Sequence, residues 1–233
     1  MSWYRAHWYW VGPLFSLAAL VVLVAQWSSL DPLGRLLLAN FMLLPLHEFE
    51  EYGWPGGEPA IMNKVIQPSE RPDRYPLNQF SALVVNVFAA YPFLLAAARF
   101  PSAIWLGFGA TFFWFGQFLV HGVMTNRKLK TIYNPGSLTM AVGVGFLVYF
   151  MVYVISNDLA SAWDWVAGVA LMAAFAVIFL VKMTYTWLAD ENSKYPFTDT
   201  EMKRWNVDAR IARASAKSAS EHAGDEPSTS LRG

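Results

Sequence analysis

The sequence predicts an all-α polytopic membrane protein, a bundle of six transmembrane helices. Three observations predict it. Of the 233 residues, 55% are hydrophobic and only 15% are charged, against roughly 25% charged in soluble domains. Six apolar runs are each long enough, at about 20 residues, to cross a hydrocarbon core as a helix. Basic residues are also divided unevenly between the segments that join these runs. The seventeen Lys and Arg balance seventeen Asp and Glu, so net charge gives no argument for a nucleic-acid partner. With no cysteine, disulfides, Cys-ligated zinc, iron–sulfur clusters and thiol nucleophiles are excluded together.

The six runs cover residues 9–29, 33–52, 79–98, 103–125, 137–156 and 163–187. The first carries Trp8, Tyr9 and Trp10 at one end and Trp27 at the other. We read these as interfacial aromatic belts. With no Ala-x-Ala site after it, the run is read as a span and not as a cleaved leader. The first, third, fourth and fifth runs hold no Lys, Arg, Asp or Glu, and the sixth holds Asp164 and Lys182 only near its rims. The second run differs, because its far end is charged.

Six spans place Arg35 and Arg99 on one side and the other fifteen basic residues on the opposite side. Basic residues stay cytoplasmic, so both termini are expected inside the cell membrane. Residues 1–190 then form the transmembrane domain. Within it, the Pro- and Gly-rich stretch 53–78 is expected to be a cytoplasmic loop or lid, with a short interfacial helix over 60–66. Residues 207–233, poor in large apolar side chains, are expected to be a disordered tail.

The second run ends in His47, Glu48, Phe49, Glu50, Glu51 and Tyr52. At about 100° per residue, His47, Glu50 and Glu51 share one face as i, i+3 and i+4, while Glu48 falls to the side at the rim. A helix C-terminus already carries about half a negative charge, and each added carboxylate there costs roughly 0.3–1 kcal/mol. Carboxylates so placed at membrane depth call for a cation: a metal, a basic side chain or a shared proton.

Other runs supply partners at the same depth. Gln117 and His121 are i and i+4 on the fourth run, and Asn86 lies about two turns into the third. The connection after the fourth run holds Asn126, Lys128, Lys130 and Tyr133-Asn134-Pro135-Gly136, whose Asn-Pro-Gly turn would pin Tyr133 or Asn134 over the mouth. Two histidines and carboxylates suit a divalent metal, Zn²⁺ ahead of iron: His47, His121 and one of Glu50 or Glu51 as ligands, the other glutamate as general base. Asn86, Gln117, Asn126, Lys128, Tyr133 and Asn134 would orient those ligands or bind substrate. Two plainer readings stand beside this one. Glu50 and Glu51 would pair with Lys128 and Lys130 as a clamp across the helix ends, or His121 would be an ordinary hydrogen-bonded interior histidine.

The string from His47 to Glu51, H-x-x-E-E inside an apolar run, resembles the signature of the HXXEE domain family of bacterial integral membrane proteins. Trp54-Pro55-Gly56-Gly57, Arg74 to Asn78, Gln117 to His121, Asn126, Lys128 to Lys130 and Tyr133 to Gly136 extend the resemblance over roughly residues 10–155. It implies the same site residues and brings no reaction with it. The function expected from the residues is a membrane-embedded, metal-dependent enzyme, a hydrolase ahead of an oxidoreductase, acting on a lipid or another hydrophobic small molecule. The rival is a non-enzymatic proton-coupled carrier or ligand-binding module with the Glu/His cluster as proton relay.

Overall fold

The computed structural model describes residues 2–224, and among these every regular element is helical. Helix α1 (Ser2–Ala25) is followed by α2 (Pro32–Glu48), which runs on without a break through a π-helical turn, Phe49–Gly53. A short α3 (Glu58–Ile61, continued by Met62–Ile66) lies in the connection to α4 (Gln79–Arg99). Then come α5 (Ile104–Leu129), α6 (Ser137–Ser156) and α7 (Ala162–Trp187). Further along, among the described residues, come α8 (Asp199–Lys203) and α9 (Val207–Gly224).

Local chemistry sets the boundaries. Asp31 Oδ1 accepts from Gly34 N at 2.8 Å with Pro32 at the first helical position, as a helix start prefers. Asn78 with Ser81 and Ser161 with Asp164 form reciprocal capping boxes at the heads of α4 and α7. Lys130 ends α5 in the left-handed conformation.

Five helices, α1, α4, α5, α6 and α7, are long and apolar enough to cross a membrane, where six were expected. The exception is α2. It occupies the middle of the bundle against α1, α4 and α6, and twelve of its seventeen residues from Pro32 to Glu48 are buried. Its neighbours shield its polar groups, so its composition is freed from the demand that lipid contact makes on a span.

Two clusters of buried apolar side chains fill the interior. The larger lies along α2, α4, α5 and α6 and includes Leu37, Leu44, Leu94, Trp114 and Phe150. The second lies at the end of the bundle where both termini come in. It joins Trp8 and Tyr9 of α1 to Tyr52, Ile61, Leu77, Phe197, Met202 and Val207. Trp8 and Tyr9 are therefore not an interfacial belt: they are 2% and 3% exposed, because α1 begins seven residues earlier than its apolar run suggests and α3 and α8 pack over them.

The 53–78 connection is not an open lid. Asn63, fully buried, donates to the carbonyls of Pro72 and Leu77 at 2.8 Å and accepts from Leu77 N at 3.0 Å. Its helix is buried rather than lying on a surface. The expected disordered tail is also partly ordered: residues 207–224 are helical, since the alanines that make this stretch poor in large side chains are the best helix formers. Val207 and Ala214 are buried on its inner face. Residues 225–233 lie outside the described residues.

Candidate metal centre

At the end of α2, His47 and Glu51 stand one turn apart, with Glu51 inside the π-helical turn. Helix α5 also turns π-helical over Phe118–Thr125, the stretch that carries His121, and such turns are frequent at functional sites. Together these elements bring His47, Glu51 and His121 into contact. Glu51 Oε1 lies 3.2 Å from His47 Nε2 and 2.9 Å from His121 Nε2. All three residues are buried. Among the described residues they form a group whose potential ligand atoms all fall within 4.8 Å of one another.

The surrounding hydrogen bonds fix what each ring presents. His121 Nδ1 faces Asn134 Oδ1 at 2.8 Å, while Asn134 Nδ2 donates to the His121 carbonyl and to Asn126 Oδ1, at 2.8 and 2.9 Å. With its amide hydrogens so committed, Asn134 accepts from His121 Nδ1–H. The second ring follows the same logic. His47 Nδ1 meets Thr139 Oγ1 at 2.8 Å, and that hydroxyl directs its own hydrogen to Glu50 Oε2 at 2.6 Å. Thr139 therefore accepts from His47 Nδ1–H. His121 Nε2 consequently meets Glu51 Oε1 in hydrogen-bond geometry, while His47 Nε2 lies 3.2 Å from the same oxygen without meeting it and has no other hydrogen-bond partner. In neutral rings this leaves two unprotonated nitrogens beside a negative oxygen, and a positive charge held among the three would relieve it.

Glu50 leaves this set. Its Oε1 accepts from Tyr133 OH at 3.0 Å and Leu138 N at 3.1 Å, and its Oε2 accepts from Thr139 N at 2.9 Å and from the Thr139 hydroxyl. Leu138 and Thr139 lie in the first turn of α6, so Glu50 caps that helix. The carboxylate at the negative end of α2 is balanced by the positive end of α6. Partial burial first, and then the charge of Glu50, push the Tyr133 hydroxyl up to about 12, so it stays a donor.

The clamp reading is not what the contacts form. Lys128 donates to the Val65 and Ile66 carbonyls, and among the described residues the hydrogen-bond and ion-pair partners of Glu50 and Glu51 include no lysine. Gln117 approaches the His47 ring without meeting hydrogen-bond geometry. Asn86, in the π-helical stretch of α4, is half-buried and makes no hydrogen bond to the cluster among the described residues. Tyr133 and Asn134, beside the turn after α5, reach Glu50 and His121, and Asn126 accepts from Asn134.

Several residues escaped the sequence reading. Asn40, fully buried two turns back along α2, accepts from Trp114 Nε1 at 2.6 Å, and Trp114 meets the His47 ring edge-on at 5.2 Å. Its signal was a lone Asn in an apolar run. Thr139 carried no signal at all. Gly136 (φ +96°) leaves room for His121, whose Cε1 would lie 2.6 Å from a Cβ there. Glu48 was expected at the rim. It is fully buried, and neither its carboxyl oxygens nor the Tyr91 hydroxyl meets hydrogen-bond geometry. Glu58, also buried, leaves Oε2 without a partner. Burial first, and then the charge of Glu51, push its carboxyl up to about 8, with His121 pulling the other way.

The donor set fits a metal. Ligands about 2.0–2.1 Å from a tetrahedral Zn²⁺ lie about 3.4 Å apart; the two contacts to Glu51 are 2.9 and 3.2 Å, and the whole set falls within 4.8 Å. Both imidazoles carry a partner on the far nitrogen, as metal-bound histidines do. Two histidines and one carboxylate also match the usual non-haem iron set.

Fold and site together define a class: an all-helical protein with membrane-spanning character and a His/Glu cluster buried at the end of its central helix. A family model described as "Protein of unknown function with HXXEE motif" matches residues 38–154, just over half of the chain, and the protein belongs to that family. No curated protein and no solved structure matches it.

Proposed function

We propose that this protein is a membrane-embedded, metal-dependent enzyme, a hydrolase acting on a lipid or other hydrophobic substrate reached from the cytoplasmic leaflet. One observation carries the reading: two buried histidines, each held by its Nδ1, bring Nε2 within 3.2 Å of a single oxygen of Glu51, and His47 Nε2 is left without a hydrogen-bond partner. In this reading His47, Glu51 and His121 hold a divalent ion, Zn²⁺ ahead of iron, which when bound would supply an activated water. Glu50, engaged by four donors, is a positioning group and not a base. Glu58, whose carboxyl burial and then the charge of Glu51 push up to about 8 in the metal-free protein, is the candidate proton donor to a leaving group. We count α2 as a sixth span and place both termini in the cytoplasm, on the strength of the uneven Lys and Arg distribution.

The test is elemental analysis of protein purified in detergent without added metal. About one equivalent of a transition metal is expected. His47→Ala or His121→Ala should lower it by at least about tenfold, since even changes to groups behind the ligands cost 10–100-fold. A second reading draws on the same observation, because protons on the two Nε2 atoms would also relieve the clash with Glu51. Metal-free protein that resists loading with Zn²⁺ would select that reading, a proton relay in a carrier.

A further inference from the structure

The chain outside the family match supplies an unexpected contact at the site. Residues 198–207 cross the terminus end of the bundle, where Glu201 and Arg204 anchor them. Tyr9 OH and Gln79 Nε2 donate to Glu201 at 3.2 and 3.1 Å. Arg204 donates to Tyr9 OH and to the carbonyl of Tyr52, the residue after Glu51.

The receiving surface is Gly56-Gly57, both in the left-handed region. A Cβ on Gly56 would lie 2.5 Å from Arg204 Cδ, and one on Gly57 would lie 3.0 Å from the Arg204 carbonyl and 3.1 Å from Trp205 Cβ. The Trp-Pro-Gly-Gly segment after the HXXEE string is thus shaped to receive Arg204 and Trp205. The next contacts lead inward. The Trp205 ring meets Tyr133 edge-on at 6.4 Å, Tyr133 donates to Glu50, and Glu50 accepts from the Thr139 hydroxyl that holds His47. The crossing segment is itself held in an uncommon backbone: Trp205 and Asn206 have φ of 55° and 50°, a conformation that non-glycine residues keep only when their surroundings enforce it.

We infer that residues 198–207 are a latch, closed in this structure over the His47–Glu51–His121 cluster, which lifts at Trp205–Asn206 to admit a ligand from the terminus end. The latch concerns access to the cluster and holds whether the cluster takes a metal or protons.

Diethylpyrocarbonate modification of the full-length, chelator-treated protein in detergent tests it, with modified histidines mapped by peptide mass spectrometry. His7, half-buried near the start of α1, with its ring stacked on Trp3 and its Nδ1 2.9 Å from Trp3 O, lies outside the cluster and serves as the internal reference. In Arg204→Ala, modification of His121 relative to His7 should rise by about tenfold, as losing charged hydrogen bonds shifts a local opening equilibrium by at least that factor. A second arm leaves the sequence intact. A carbodiimide joins Lys64 Nζ to Asp208 at the head of α9, an ion pair of 2.7 Å, and should slow His121 modification below the unlinked level. Equal His121-to-His7 ratios in wild type, variant and linked protein overturn the latch. If Arg204→Ala does not fold, an unchanged ratio on linking overturns it alone. Because the readout needs no metal, it can fail while elemental analysis succeeds, and the reverse.

Discussion

Asn134 grips His121 at two points, its Oδ1 on the ring Nδ1 and its Nδ2 on the backbone carbonyl, both at 2.8 Å. The ring is thus fixed in position and in tautomer by one side chain. Asn134→Ala should therefore weaken metal binding by about 10–100-fold while leaving all three ligands in place. Titration of the stripped protein with Zn²⁺ checks this. Affinity equal to wild type would mean that Asn134 does not set the ring.

Glu50 and Glu51 should separate cleanly. Glu51→Gln should lose metal. Glu50→Gln should retain it but lose stability, since an amide cannot accept from all four donors and no longer balances the head of α6. A cost of about 2 kcal/mol is expected, in the range for hydrogen bonds to charged groups. Metal content and thermal unfolding of the two variants decide it, and metal loss in Glu50→Gln alone would reverse the assignment.

Glu58 gives the protein a pH dependence of known sign. Its folded value of about 8 lies above the ordinary carboxyl value near 4.3. In the metal-free protein its contribution is fully present below about pH 4.5, is lost as pH rises toward 8, and is constant above that. The loss is at most about 1.4 kcal/mol per pH unit. Glu58→Gln removes the term, so its stability advantage over wild type should grow between pH 5 and 8 and then level off. A difference that stays flat across this range would place Glu58 in contact with solvent or a counter-charge.

Two glycines make a matched pair. Gly136→Ala forces a Cβ toward His121 at a positive φ, while Gly145 in α6 has nothing within 4 Å of the added atom. Gly136→Ala should cost at least about 2 kcal/mol, combining backbone strain with displacement of a buried ring. Gly145→Ala should be neutral or stabilising by up to about 1 kcal/mol. Thermal unfolding of both variants in the same detergent tests the contrast.

The helices were legible wherever length and apolarity coincide, and α4 and α6 match their runs to within a residue. His47, Glu51 and His121 were legible because charge at the wrong end of a helix is costly in any fold. Glu50 was misjudged for want of one fact: that the head of α6 arrives beside it. Thr139 and Glu58 depend likewise on which elements meet, and neither has a local pattern to betray it. Trp8 and Tyr9 looked like interfacial residues because the α3 and α8 packing that covers them is invisible along the chain.

Helix α2 is the most enclosed rod of the bundle and carries Arg35, Asn40, His47 and three glutamates. Such a rod has no comfortable resting place until others stand around it. Assembly is therefore expected to have an order, with the greasier helices gathering first and the polar one settling last among them. The His47–Glu51–His121 cluster would then come into being only when the whole bundle is complete, and a half-built chain would leave its three members apart.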